Sequence, residues 1–188
     1  DGVIGQMMEK VVLPEQRTRL TDEEVIARCP WATTGRTHHR TPNIITSLEL
    51  DPAEMEKRNI HLQKKYAEIE ENEVRFEELH CEDAEYLIVA FGSCARIAQK
   101  AMEMAREEGI KVGLLRPITL WPFPSKAIAA RAAQVKGILT VELNAGQMVE
   151  DVRLAVKCKV PVEHFGRLGG IVPDPDEVIT ALKEKLIK

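Results

Sequence analysis

Residues 73–188 predict a three-layer α/β/α domain built on a mostly parallel sheet. Two features of the sequence carry this prediction: short apolar runs that suit strands buried on both faces, and helical segments of about 12 residues between them. Strands that alternate with such helices form βαβ units, whose crossovers cover both faces of a parallel sheet. We therefore expect five strands, with an antiparallel strand at one edge.

The individual elements follow from the same periodicity. The predicted strands are Val74–Leu79, Tyr86–Phe91, Ile110–Leu115, Gly137–Leu143 and Val160–Phe165. The first should run antiparallel to its neighbour, since the gap before Tyr86 is too short for a crossover. The predicted helices are Cys94–Glu108, Pro124–Val135, Gly146–Cys158 and Asp174–Ile187, with Ser93 as the N-cap of the first and Asp174 of the last.

The first 72 residues hold one clear element. Asp51-Pro52-Ala53-Glu54 is a helix start, and apolar residues then mark one helical face as far as Asn72. Residues 11–46 show little regular pattern, which is uncommon in a compact domain, so we expect them to wrap along another part of the protein. The chain opens at Asp1 in what resembles the middle of an element, and we expect it to be part of a longer protein.

Composition excludes several classes of function. Thirty acidic residues against 26 basic ones give a net charge of -4, which argues against nucleic acid or an anionic membrane as a partner. No apolar run approaches the roughly 18 residues of a membrane span, and no signal peptide is recognisable. Cys29, Cys81, Cys94 and Cys158 are widely separated, so we expect reduced thiols and no metal or iron–sulfur site.

Three segments carry residues that chemistry can use. Gly92-Ser93-Cys94 lies at a predicted helix start, which suits either an anion or a plain tight turn, and Cys94 is either an activated thiol or a core residue. Gly166–Gly170 is a second loop, in which Arg167 either binds an anion or belongs to a simple connection. His38-His39 lacks neighbouring acids or cysteines, so a solvated or interface loop is favoured over a metal site.

The segment Arg116–Pro124 reads Arg-Pro-Ile-Thr-Leu-Trp-Pro-Phe-Pro and follows a predicted strand. Its prolines stiffen it, and Trp121 and Phe123 are large apolar groups in a chain that is only 4% aromatic. Aromatic residues on a rigid loop suit a protein interface. The alternative is that both side chains fold back onto the core of their own domain.

Several blocks together resemble one known family. They are Gly5-Gln-Met-Met-Glu9, the run His61–Glu73, Val89-Ala-Phe-Gly92, Leu115–Pro124, Glu142-Leu-Asn-Ala-Gly-Gln-Met148 and Gly166-Arg-Leu-Gly-Gly170. Their order is similar to that in alpha-type subunits of 2-oxoacid:ferredoxin oxidoreductases, across essentially the whole chain. The branched-chain type, 2-oxoisovalerate (3-methyl-2-oxobutanoate) ferredoxin oxidoreductase, is the nearest, and the 2-oxoglutarate type is next.

The resemblance implies a division of the chain into three parts. Residues 1–14 are expected to be the tail of a thiamine-binding domain, and residues 15–72 a connecting segment with a long helix near 52–72. Residues 73–188 are expected to form a transketolase C-terminal-like domain with a five-stranded, mostly parallel sheet. The same resemblance implies a cytoplasmic enzyme of anaerobic metabolism.

The resemblance also implies the chemistry of the holoenzyme. Thiamine diphosphate with Mg2+ decarboxylates the 2-oxo acid, [4Fe-4S] clusters pass electrons to ferredoxin, and CoA takes the acyl group. The residues that hold these groups are expected in other domains or subunits, so we assign no catalytic, cofactor-binding or metal residue here. The expected role is subunit assembly, with candidate interface residues Arg116, Trp121, Phe123, Gln147 and Met148. The rival hypotheses are an independent module that binds a small anion at the Gly92 and Gly166 loops, and an unrelated scaffold domain.

Overall fold

A computed structural model describes residues 13–16, 18–29, 31 and 44–187. The chain divides into two compact units, Asp1–Leu62 and Gln63–Lys188. The first unit contains helix α1 (Asp22–Arg28), within the stretch for which we predicted little regular pattern. That prediction was wrong here because Thr21 and Glu24 form a reciprocal cap: the Glu24 N–H donates to Thr21 Oγ1 at 3.3 Å, and the Thr21 N–H donates to Glu24 Oε2 at 2.8 Å.

Helix α2 (Pro52–Asn72) begins in the first unit and continues into the second. Asp51 Oδ1 accepts the backbone N–H groups of Ala53 at 2.8 Å and of Glu54 at 3.3 Å, which otherwise lack partners at a helix start. Pro52 occupies the first helical position, where its missing N–H costs nothing. Both the predicted start and the predicted end of this helix are confirmed.

The second unit is built on a sheet in the order β1-β3-β2-β4-β5. The strands are β1 (Phe76–Leu79), β2 (Tyr86–Ala90), β3 (Val112–Pro117), β4 (Gly137–Glu142) and β5 (Val162–Gly166). Strand β1 runs antiparallel to β3, and every other neighbouring pair is parallel. The predicted five-stranded, mostly parallel sheet with an antiparallel edge strand is therefore confirmed. The partner of β1 is β3 and not β2, which follows β1 in the chain.

Helices cover both faces of this sheet. They are α3 (Gly92–Glu107), α4 (Ser125–Ala132), α5 (Met148–Val156) and α6 (Pro175–Leu182), which continues as a π-helical turn at Lys183–Ile187. Alternate residues of β2 point to opposite faces. Leu87 and Val89 pack with α4 and α5, whereas Ile88 and Ala90 pack with α3 and α6. The result is the predicted three-layer α/β/α arrangement.

The prediction that Ser93 caps α3 was wrong. The helix begins at Gly92, its N-cap is Phe91, and no side chain caps it. Gly92 has a φ of 56°, a left-handed conformation that glycine adopts without steric cost, so the chain turns directly from β2 into the helix. The predicted cap at Asp174 does lie at the start of α6, where the Asp174 N–H donates to Glu177 Oε2 at 3.1 Å.

The strand order places all the candidate loops at one edge of the sheet. From β2 the chain passes to β3 on one side and then crosses to β4 on the other, which makes the carboxyl ends of β2 and β4 a topological switch point. The loops that begin at Gly92, Leu143 and Gly166 leave this edge side by side. The segment Arg116–Pro124 leaves the same edge from β3.

Candidate functional site

The loop after β3 is held by a hydrogen-bonded hub at Thr119. The Arg75 N–H donates to Thr119 Oγ1 at 3.0 Å, and the Thr119 hydroxyl donates to the carbonyl of Pro122 at 2.8 Å. The Ile118 N–H donates to the Arg75 carbonyl at 3.0 Å. These bonds tie the loop to the segment between α2 and β1, so its aromatic side chains project from a fixed backbone.

The two aromatic residues of the loop have different environments. Trp121 is 55% exposed and makes an edge-to-face contact with Tyr66 of α2, with ring centroids 5.6 Å apart. Phe123 packs against the core cluster under α4 and α5. Of the two alternatives left open for these side chains, folding back onto the domain therefore describes Phe123, while Trp121 presents much of its indole to solvent.

Arg116 lies at the carboxyl end of β3, directly across from Glu77 of β1. Its Nη1 donates to Glu77 Oε2 at 2.9 Å. Its Nε is buried and has no hydrogen-bond partner. Because Glu77 already binds the guanidinium, this arginine reinforces the pairing of the edge strand.

Trp121 and Phe123 border a groove of about 990 Å³ within the second unit. One wall is the carboxyl-terminal part of α2 with the start of β1, and the other is the Trp121–Pro124 segment with the first residues of α4. The charged side chains that line it are Glu70, Glu71 and Lys126.

The loop between β4 and α5 is organised by a buried carboxylate. Glu142, which is 1% exposed, accepts the backbone N–H groups of Gln147 at 3.2 Å, Met148 at 2.8 Å and Val149 at 3.0 Å. These are N–H groups at the amino end of a helix, where an anion is favoured. The molecule thus fills this anion position with its own side chain.

The two interface candidates in this loop differ in accessibility. Gln147 is exposed. Met148 is 4% exposed and belongs to the core cluster under α4 and α5. Its side chain is therefore occupied within the domain, and any contact that this segment makes with a partner falls to Leu143, Ala145 and Gln147, which are exposed.

Sequence reasoning missed the role of Glu142 and of His164 beside it. His164 Nδ1 lies 3.4 Å from Glu142 Oε1 and 3.1 Å from Thr140 Oγ1, and its Nε2 lies 3.3 Å from the carbonyl oxygen of Asn144. The available signal was an acid that ends the mostly apolar segment Ile138–Val141 shortly before a helix, because a charge there must find buried donors.

The Gly166–Gly170 loop abuts the loop that Glu142 organises. A Cβ at Gly166 would collide with the carbonyl oxygen of Asn144, so only glycine permits this close approach. The Arg167 N–H donates to the Glu142 carbonyl at 3.2 Å, and Arg167 Nη2 pairs with Glu177 at 3.2 Å. Arg167 Nε is buried and unpartnered. Glu177 thus already pairs with Arg167, the residue that was a candidate for binding an anion.

Cys94 at the start of α3 is 4% exposed. Burial, followed by the nearby charge of Glu142, raises the pKa of its thiol to about 11. The raised pKa opposes thiolate formation, so the geometry favours the core-thiol interpretation over an activated nucleophile. The same negative charge makes the Gly92 turn a poor place for a second anion.

No cluster of metal-ligating side chains occurs in the part of the chain that the structure describes. The four cysteines are free, and two of them, Cys81 and Cys94, are buried. They do not converge on one centre, so the described residues do not fit an iron–sulfur cluster. His38 and His39 lie outside the described residues. Among the helices that are described, none is long and apolar enough to cross a membrane.

These features define a class: a three-layer α/β domain with a transketolase-like fold, whose exposed loops are ordered by internal hydrogen bonds. A solved split-gene transketolase, described as an inactive beta4 tetramer, shares the fold with a TM-score of 0.52 and 18% identity over 60% of this chain and 42% of its own. The chain belongs to the family of pyruvate:ferredoxin oxidoreductase core domain II, whose family model matches residues 84–178. The resemblance inferred from the sequence blocks is confirmed.

Curated relatives give the same result. The chain is 44% identical to the ketoisovalerate oxidoreductase subunit VorB of Methanothermobacter thermautotrophicus over 184 residues, which are 98% of this chain and 50% of that protein. It is 30% identical to the 2-oxoglutarate synthase subunit KorA of Archaeoglobus fulgidus over 177 residues, 93% of this chain and 49% of that one. The chain therefore spans about half the length of these relatives.

A solved structure extends the comparison. The 2-oxoglutarate:ferredoxin oxidoreductase from Magnetococcus marinus, which has 2-oxoglutarate, coenzyme A and succinyl-CoA bound, superposes with a TM-score of 0.63 and 25% identity. The match covers 72% of this chain and 24% of that one. The homologous proteins are thus 2-oxoacid oxidoreductases, which work as assemblies larger than this domain.

Proposed function

We propose that this chain is the assembly domain of a subunit of a thiamine diphosphate-dependent 2-oxoacid:ferredoxin oxidoreductase. The observation that carries the proposal is the 44% identity to a ketoisovalerate oxidoreductase subunit over 98% of the chain. An alignment of that extent includes the connecting segment as well as the α/β domain. In the parent protein we expect residues 1–14 to end a thiamine-binding domain, residues 15–72 to connect, and residues 73–188 to form the assembly domain.

The substrate we propose is a branched-chain 2-oxo acid, which the holoenzyme oxidises and decarboxylates to an acyl-CoA with ferredoxin as electron acceptor. Higher identity to the ketoisovalerate relative than to the 2-oxoglutarate relative, 44% against 30%, favours this substrate class. This activity corresponds to 3-methyl-2-oxobutanoate dehydrogenase (ferredoxin). We place the holoenzyme in the cytoplasm of an anaerobically growing cell.

The contribution of this chain is structural. Its buried thiols are protonated at neutral pH, its Glu142 carboxylate is committed to the start of α5, and its Arg167 is paired with Glu177. Thiamine diphosphate, Mg2+ and the iron–sulfur clusters would be held by other domains or subunits, and no step of the reaction is assigned to residues of this chain. The surface that remains available lies at the carboxyl ends of the parallel strands. It carries Trp121, Gln147 and the neighbouring apolar loops, and it suits contact with partner subunits.

Calorimetry tests whether the cofactor binds to this chain or to other parts of the holoenzyme. Thiamine diphosphate with Mg2+ is titrated into the 188-residue chain and, in parallel, into the full-length subunit purified with its partners. We expect no heat of binding with the chain alone, and binding together with ferredoxin reduction on branched-chain 2-oxo acids in the complex. Tight binding by the chain alone would contradict the assembly role, and a preference for 2-oxoglutarate would contradict the substrate class.

A further inference from the structure

The groove beside Trp121 has an unbalanced charge distribution. Glu70 and Glu71 line it from the last turns of α2, and neither forms an ion pair within the described part of the chain. The carboxyl end of a helix carries a partial negative charge, so carboxylates are unfavourable there and cations are favourable. The last turn of α2 contains no basic residue. A cation from outside the domain would therefore relieve this repulsion.

The nearby cations of the domain do not supply that charge. Arg75, which follows α2, pairs with Glu73 at 3.1 Å. Lys126 lies on the opposite wall of the groove, and no ion pair links it to either carboxylate among the described residues. A basic side chain that enters the groove would meet two carboxylates without first displacing an existing partner.

An aromatic surface lies next to the carboxylates. Glu70 is one helical turn beyond Tyr66, so the two share a face of α2, and the Tyr66 ring touches the indole of Trp121. An exposed indole attracts arginine or lysine through its ring quadrupole. Phe76 and Phe123 add apolar wall to the same groove. A small cation would leave this apolar wall exposed, whereas a peptide segment with apolar side chains would cover it.

The geometry points to one occupant: an apolar segment of a partner subunit that inserts an arginine or lysine between Trp121 and the Glu70–Glu71 pair. This inference rests on the proposed function, because it requires the oxidoreductase assembly. A second copy of this chain whose two-fold axis passes through the groove is disfavoured, since that arrangement would set carboxylates against carboxylates.

Photo-crosslinking in the purified assembly tests the identity of the occupant. A benzophenone amino acid replaces Ala67, which lines the groove, in the full-length subunit purified with its partners. We expect a crosslink to another subunit, in a peptide that carries an arginine or lysine among apolar residues. A crosslink to the other half of the same subunit, to a second copy, or to no peptide would overturn the inference. The same probe at Lys100, on the exposed surface of α3, is the matched control and should not capture that peptide.

Charge reversal tests the chemistry independently. Glu70→Lys with Glu71→Lys should weaken binding of the subunit to its partners at least tenfold, and Trp121→Ala should weaken it as well. The control, Glu103→Lys with Glu107→Lys on exposed positions of α3, changes the net charge equally and should leave the affinity unchanged. Unaltered affinity in the groove variants would contradict the inference.

The two proposals fail in different ways. If the wild-type assembly forms and oxidises branched-chain 2-oxo acids but the groove variants behave as wild type, only the groove inference is wrong. If the subunit neither joins thiamine-binding partners nor supports oxidation, the proposed function itself is wrong.

Discussion

The carboxylate of Glu142 joins the end of β4 to the start of α5 through three backbone N–H groups. Glu142→Gln keeps the size of the side chain but turns an amide NH2 toward some of those donors. We expect it to lower the free energy of unfolding by about 2 kcal/mol, as for the loss of charge-assisted hydrogen bonds in a buried site. Urea unfolding of the 188-residue chain measures the change.

The matched control for this substitution is Glu150→Gln in the same helix. Glu150 is exposed and forms an i,i+3 pair with Arg153 at 3.3 Å. Such surface pairs contribute about 0.5 kcal/mol or less, so we expect little change. Equal effects of the two substitutions would show that the Glu142 carboxylate does not organise the loop.

The buried thiols make a second prediction at the scale of the residue. Burial raises the pKa of both Cys81 and Cys94 from 9.0 to about 11, with added contributions from Glu78 and Glu142 respectively. A raised pKa means that the folded state holds the proton more tightly than the unfolded state. The resulting stability is complete below about pH 9 and is lost as the pH rises toward 11.

Thiol titration at pH 8 checks the accessibility that underlies this pH dependence. We expect the exposed Cys158 to react rapidly with an aromatic disulfide reagent, and Cys81 and Cys94 to react only after unfolding. The melting temperature should fall between pH 9 and 11, and less steeply when both buried cysteines are replaced by alanine. Rapid labelling of Cys94 in the folded chain would contradict its assignment to the core.

At the scale of the residue, the sequence was better at indicating which side chains to consider than at predicting what surrounds each of them. Trp121 and Phe123 are aromatic residues of the same proline-rich loop, yet one is exposed and the other packs on the core. Trp121 contacts Tyr66, which lies more than fifty residues earlier in the chain, and Phe123 contacts the core cluster under α4 and α5. Sequence separation hides such contacts, and the same holds for His164 beside Glu142.

At the scale of the element, Thr119 is the residue that fixes the Arg116–Pro124 loop. Thr119→Val has almost the same shape but removes the hydroxyl that accepts from the Arg75 N–H and donates to the Pro122 carbonyl. We expect a loss of about 1 kcal/mol in stability and faster amide hydrogen exchange at Arg75 and Ile118, whose N–H groups are hydrogen-bonded here. Mass-spectrometric exchange would detect this, with Thr180→Val on the exposed face of α6 as the control. Unchanged hydrogen exchange in the loop would contradict the role of the Thr119 hydrogen bonds in holding it.

The starts of some helices could be predicted from neighbouring residues in the chain, and the starts of others could not. The cap at Asp51 and the proline at position 52 fixed the start of α2, since that signal depends only on neighbours in the chain. The start of α3 was missed because Gly92 replaces a side-chain cap by a left-handed turn. The start of α5 depends on Glu142, which lies outside the helix.

At the scale of the whole molecule, strand periodicity predicted the number and direction of the strands but not every neighbour. The short gap between β1 and β2 fixed antiparallel edge pairing, yet β1 pairs with β3. That choice places Glu78 beside Arg131 of α4, whose Nε donates to Glu78 Oε1 at 2.9 Å. Pairing partners are selected by such long-range contacts, which no local pattern contains.

The distribution of buried residues predicts which part of the chain folds independently. Both core clusters lie between Leu79 and Ile187, and none of the described residues from 13 to 50 is buried. A chain of residues 51–188, which keeps the Asp51 cap, should unfold cooperatively with a free energy within about 0.5 kcal/mol of the 188-residue chain. Residues 86–188 lack α2 and β1, so the edge of β3 and the contacts of Cys81 and Ala84 are lost. We expect the free energy of unfolding of this shorter chain to be lower by about 3 kcal/mol or more. Urea unfolding followed by circular dichroism compares the three chains, and equal stability of the two truncated forms would contradict a structural role for β1.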